Sequence, residues 1–180
     1  MDRSQAKLAA RFHGLLFVVG LATFVVHELA HWITGVALGY DMVATLNSVW
    51  STETVAPSDQ LLVTASGPLL TILQGVIGYR LVANRGSRFG FALLYMAFFM
   101  RLVAAGISTF NPNDEARLSL ELGLGTWTLP LLVVGFLLAL TVVASRRLEL
   151  GFRDLLFCFV TASLAVSTIV GADMLIWDKS

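Results

Sequence analysis

"GLLFVVGLATFVVHELAHWITGVAL", residues 14–38, decides the fold. As an α-helix rising ~1.5 Å per residue it is longer than a hydrocarbon core of about 30 Å. Only His27, Glu28 and His31 interrupt its apolar character. The apolar run is too long for a signal peptide and carries HELAH in place of a small-residue cleavage site, so it is expected to be a retained membrane span.

The rest of the chain repeats this character. Its 180 residues are 57% hydrophobic and 13% charged, with a mean hydropathy of +0.79, a composition that excludes an ordinary soluble domain. The expected fold class is therefore all-α, a polytopic membrane helix bundle of about five transmembrane spans. A single membrane domain, residues 1–180, divides into a cytoplasmic tail (1–13), span 1 with the histidines (14–38), an outer loop (39–59), span 2 (60–80), span 3 (89–110), a second outer loop (111–126), span 4 (127–145) and span 5 (154–177). "DMVATLNSVW", residues 41–50, is β-branched and roughly alternating, which suits a short membrane-associated strand or hairpin after the first span as well as it suits an irregular loop. "ANRGSR", residues 83–88, reads as a tight turn between two helices.

Twelve basic and twelve acidic residues cancel, so the net charge carries no footprint of a nucleic-acid partner. Their placement is informative. Nine cations (Arg3, Lys7, Arg11, Arg80, Arg85, Arg88, Arg146, Arg147 and Arg153) flank the spans on one side, against Arg117 and Lys179 on the other. The positive-inside rule then puts the N-terminus in the cytoplasm and the C-terminus outside, in a multi-pass protein of the plasma membrane. Trp32, Trp50, Trp127 and Trp177 fall near the expected outer side, as an aromatic belt does. Asp173 reads as an interfacial charge and the single cysteine, Cys158, as a core residue.

The chemistry lies in HELAH. Two histidines four residues apart project from one face of a helix, so both imidazoles reach a single ion. Glu28, beside the first, sits next to the ion without ligating it, where it can take a proton from a water that the ion has acidified to a pKa of about 7. With three His and five Glu in the chain, HExxH arises by chance about once in a thousand sequences. A carboxylate at membrane depth costs kilocalories unless it faces a cavity, a partner or an ion. A catalytic zinc commonly takes a third protein ligand and leaves one position open. "FNPNDEARLS", residues 110–119, offers Asp114 and Glu115 directly after the third span, where Pro112 stops or kinks the helix. Counting along the helices from the interfaces puts His27, Gly67 and Asp114 at a similar depth, in the outer half of the bilayer.

HELAH in one span, "SGPLL" (residues 66–70) in the next and an Asn, Pro and Asp cluster after a third resemble the site-2 protease family of membrane-embedded zinc metalloproteases. The resemblance covers roughly residues 14–120. It implies an intramembrane endopeptidase with Zn2+ as cofactor, Glu28 as catalytic base, and His27, His31 and Asp114 as ligands, with Glu115 the rival for the third place. It further implies that Gly67, Pro68, Thr71 and Asn111 bind substrate, and that the partners are a transmembrane peptide or membrane-protein substrate and the lipid bilayer, with no nucleic acid. Two positions depart from the family pattern. Glu115 and Ala116 stand where the family has paired glycines before the arginine matched by Arg117, and Thr71 stands where it has an asparagine. A membrane zinc hydrolase acting on a lipid or other non-peptide amide, and a non-proteolytic scaffold or chaperone, are the alternative functions. Arg101 in mid-span is expected to pair with a carboxylate or snorkel.

Overall fold

A computed structural model of the chain describes residues 3–177, with side chains from residue 10 onward. Lys179, counted above on the outer side, lies outside the described residues. The elements run α1 (Arg3–Ala37), β1 (Met42–Ala44), β2 (Val49–Ser51), α2 (Pro57–Arg85), α3 (Arg88–Ile107), α4 (Asp114–Glu121), α5 (Thr128–Arg147) and α6 (Phe152–Trp177). Among the described residues, five helices are long and apolar enough to cross a membrane, and α4 is not. The fold is an all-α polytopic bundle with one small antiparallel hairpin. Leu131, Leu132, Phe157, Leu164 and Leu175 all point outward and are exposed, a surface that suits acyl chains and not water.

Local chemistry sets the helix ends. Pro57, which has no N–H to leave unpaired, opens α2, and Gly86 closes it in the left-handed region at φ 59°, donating its N–H back to Val82 O. One residue later the Ser87 side chain accepts from Gly90 N and caps α3, so the 83–88 turn is two helix caps back to back. The helices extend beyond the expected spans at several ends, and α1 is helical from Arg3, through the stretch read as a tail. The 111–126 loop contains α4, an amphipathic helix too short for hydropathy to reveal.

α3 is the axle of the bundle. Two thirds of its apolar window (67%) is buried, against 22–39% for the other four spans, and it packs on α1, α2, α4, α5 and α6. The main core, with Leu16, Phe91, Leu94, Met96, Leu137 and Cys158 at its centre, lies toward the 83–88 end. A smaller cluster of Phe24, Met100 and Ile169 lies between it and the histidines. α2 presents a stripe of small buried residues (Gly67, Thr71, Gly75 and Gly78) at helical spacing, which lets neighbouring backbones approach closely where lipid supplies no hydrophobic drive between helices. Gln74 adds a polar tie across three helices, donating to Thr23 Oγ1 on α1 and to Leu93 O on α3.

Candidate metal centre

Two elements bring three side chains together. α1 carries His27 and His31 on one face, and α4 carries Asp114 in its first turn. Their ligand atoms all lie within 4.8 Å of one another. His27 Nε2 is 3.2 Å from Asp114 Oδ2 and 3.2 Å from His31 Nε2, and His31 Nε2 is 3.6 Å from Asp114 Oδ2. Tetrahedral zinc with ligand bonds of 2.0–2.2 Å separates its ligands by about 3.3–3.6 Å. The donor set therefore fits one such ion, with the fourth position left to solvent or substrate.

Proton accounting favours a cation there independently of the distances. His31 Nδ1 lies 2.7 Å from Val63 O, which only accepts, so Nδ1 carries the proton. His27 Nδ1 lies 3.0 Å from Thr71 Oγ1, whose own hydrogen goes to Gly67 O, so this Nδ1 is also the donor. In the neutral imidazoles both Nε2 atoms are then acceptors that converge with a carboxylate oxygen, with only a long 3.5 Å contact from Arg101 Nη2 to His27 Nε2. A single proton bridges two such acceptors, whereas a metal ion serves all three. Fixing Nδ1–H by an outer partner is how ligand histidines are generally oriented.

α4 is delivered to this point by its cap and by the end of α3. Asn113 caps α4, its side chain accepting from Asp114 N, and Ser108 Oγ, at the C-cap of α3, accepts from Asn113 N. Arg117 Nε donates to Pro112 O and holds the turn. The Asp114 carboxyl, raised by burial alone, is held below the usual carboxylate range by its hydrogen bonds and charge contacts with His27 and His31, so it is anionic.

The structure separates the two candidate third ligands. Glu115 is buried and turned away, accepting from Arg101 Nη1 at 3.0 Å. Asp114 alone of the two joins the histidines. The residues expected to bind substrate divide likewise. Asn111 lines the cavity in front of the site, as do Glu28, Gln60, Asn113 and Arg117. Gly67, Pro68 and Thr71 are instead buried behind the histidines. Thr71 serves the His27 ring, and Gly67 makes room for both rings, since a Cβ there would lie 2.5 Å from His27 Cε1. Pro68, lacking an N–H, leaves the Thr64 carbonyl without its helical donor and loosens the turn that offers Val63 O to His31.

The cavity, about 360 Å³ in volume, reaches the histidines from between α1, α3, α6 and the hairpin turn. Asn47, Ser48 and Val49 form part of its wall. The turn is fastened to α6 by Asp173 Oδ1, which accepts from Leu46 N at 2.7 Å, so Asp173 is a structural acceptor and more than an interfacial charge. Comparison of the chain with protein-family models, curated proteins and solved structures finds no match in any of the three. The site must be read from its own geometry.

Proposed function

We propose that the chain is a zinc-dependent intramembrane endopeptidase, cutting peptide bonds within or near transmembrane segments, as its resemblance to the site-2 protease family implies. The observation that carries this reading is the meeting of two imidazole nitrogens and one carboxylate beside Glu28, in a cavity inside an apolar bundle.

His27, His31 and Asp114 would hold the zinc, which when bound supplies Lewis acidity to a water and to the substrate carbonyl. Glu28 lines the same cavity, and among the described residues no protein hydrogen bond engages its carboxylate, which leaves it open to solvent. It removes one proton as water oxygen bonds to the carbonyl carbon and the C=O π pair moves onto oxygen. It then gives that proton to the departing nitrogen as the C–N bond breaks, so peptide and water become an acid and an amine.

A helical substrate must unwind to be cut, because its amides are otherwise paired. In this reading it lies extended along the free edge of β2, whose start at Val49 borders the cavity, and main-chain hydrogen bonds hold it there. Charge placement orients the protein with its N-terminus in the cytoplasm and the cavity toward the outer leaflet of the plasma membrane.

The test is detergent-purified protein with a model transmembrane peptide and a lipid as parallel substrates, comparing wild type with Glu28→Gln. The proposal expects peptide fragments from wild type, none from Glu28→Gln, and zinc in both. Released fatty acid with intact peptide would instead establish a lipid hydrolase, and equal function of both proteins a scaffold.

A further inference from the structure

Arg101 is the one charge in the middle of α3, 3% exposed, and its surroundings are unusual in a way that bears on the reaction. Nη1 donates to Glu115 Oε1 at 3.0 Å and lies 3.8 Å from Asp114 Oδ2. Nη2 lies 3.5 Å from His27 Nε2, a long contact to the very atom that faces the metal position. Nε is buried with no partner. Arg101 also lines the cavity together with His27, Glu28, His31 and Asp114.

Once His27 Nε2 gives its lone pair to a metal, it no longer accepts from Arg101. The guanidinium then keeps Glu115 on one side, while Nη2, beside the metal position, is left without its acceptor. A buried unpaired donor is unfavourable, the more so when charged, and an anionic oxygen placed there relieves it. We propose that Arg101 is a catalytic residue: it donates a charge-assisted hydrogen bond to the substrate oxygen that becomes negative when the carbonyl is attacked. Glu115 is its positioning residue, fixing the guanidinium and balancing its charge inside the bundle.

This accounts for the departure at Glu115 noted in the sequence. A glycine at that position leaves the buried arginine only the longer contact to Asp114, whose carboxylate the metal position claims. With zinc at +2, the cation Arg101 and the anions Asp114, Glu115 and Glu28 bring the site to zero net charge. That balance suits a site closed in an apolar bundle, where an isolated charge is costly. The step itself is unchanged from that above: the π pair arrives on the carbonyl oxygen, Arg101 hydrogen-bonds that oxygen without transferring a proton, and the bond is released when the carbonyl reforms and C–N breaks.

The proposal rests on the hydrolase reading, and anion binding separates the two. Cobalt, substituted for zinc in the full-length protein in detergent, gives a visible spectrum that reports ligands entering the site. Benzylphosphonate serves as the anionic probe. Wild type is expected to bind it, and Arg101→Met/Glu115→Met, which removes the pair together and strands no charge, to keep its cobalt and bind about 10–100-fold more weakly. Arg101→Lys, which keeps the charge but loses the planar fork, is expected to keep cobalt and fall at least tenfold. With a peptide substrate the same variants lower kcat by about 10²–10³ with KM nearly unchanged, as loss of an oxyanion donor does. Phosphonate bound as tightly by variants as by wild type would overturn the assignment. So would loss of cobalt from both, since Arg101 would then serve the ligand Asp114 and not the substrate. Wild type that shows the Arg101-dependent phosphonate binding but cuts neither peptide nor lipid would keep the anion contact and remove the hydrolase reading.

Discussion

Gly67→Ala is a one-carbon change that strikes the metal centre from behind. The added Cβ would stand 2.5 Å from His27 Cε1 and 2.7 Å from His31 Cε1. Comfortable carbon contacts are about 3.5–4.0 Å, so the overlap is about 1 Å on both rings at once. Neither ring can retreat freely, because Thr71 and Val63, on the same helix as Gly67, hold the two Nδ1 atoms. The methyl thus pushes the rings while its own helix tethers them. Donor atoms displaced by much of 1 Å miss a coordination shell whose distances tolerate only about ±0.2 Å. Zinc affinity is expected to fall at least 100-fold, more than the 10–100-fold typical of losing an outer-shell partner. The assay is competition with a chromophoric zinc chelator, with circular dichroism to verify the helices. Gly135→Ala is the control: nothing lies within 4 Å of its added methyl, and helix propensity favours alanine by ~1 kcal/mol. If Gly67→Ala bound zinc as tightly as wild type, the packing of α2 against the histidines would not be what holds the site.

Three further predictions test its surroundings. Thr71→Val keeps the shape but removes the acceptor for His27 Nδ1, and zinc affinity measured by the same competition should fall 10–100-fold with little change in thermal stability. Glu115→Ala strands the buried Arg101 charge at a cost of ~3–5 kcal/mol, so Tm should drop by about 10 °C, whereas Arg101→Met/Glu115→Met should recover most of it. Asp173→Ala frees the hairpin turn, and amide exchange at Leu46 should accelerate about tenfold or more; unchanged exchange would show that the turn is held by other contacts.

The bundle was legible because its signal is repeated and local: apolar runs of spanning length, a turn at 83–88 that separates two helices, and an alternating stretch that became the β1–β2 hairpin. The histidine pair was legible for the same reason, since i and i+4 share a helix face wherever the helix packs. The third ligand was narrowed to two neighbours, with Asp114 preferred through its motif position and Glu115 its rival. Asp114 and Glu115 are neighbours in one helical turn, about 100° apart around the axis, and the docking of α4 decides which faces α1. Thr71 was read as a substrate contact through its motif position, yet its hydroxyl turns to a histidine from a helix 44 residues away in sequence. Val63 contributes a backbone carbonyl, which no side-chain pattern can announce. Arg101 was visible as an anomaly, but its partner Glu115 became recognisable only when α3 and α4 were placed side by side.

Zinc content per chain, measured by elemental analysis on purified wild type, Asp114→Ala and Glu115→Gln, tests the metal centre most directly. The geometry predicts one zinc in wild type, one in Glu115→Gln, which keeps an oxygen for Arg101, and close to none in Asp114→Ala. A wild type that takes up no zinc, or an Asp114→Ala protein that retains it while Glu115→Gln does not, would contradict the centre described above.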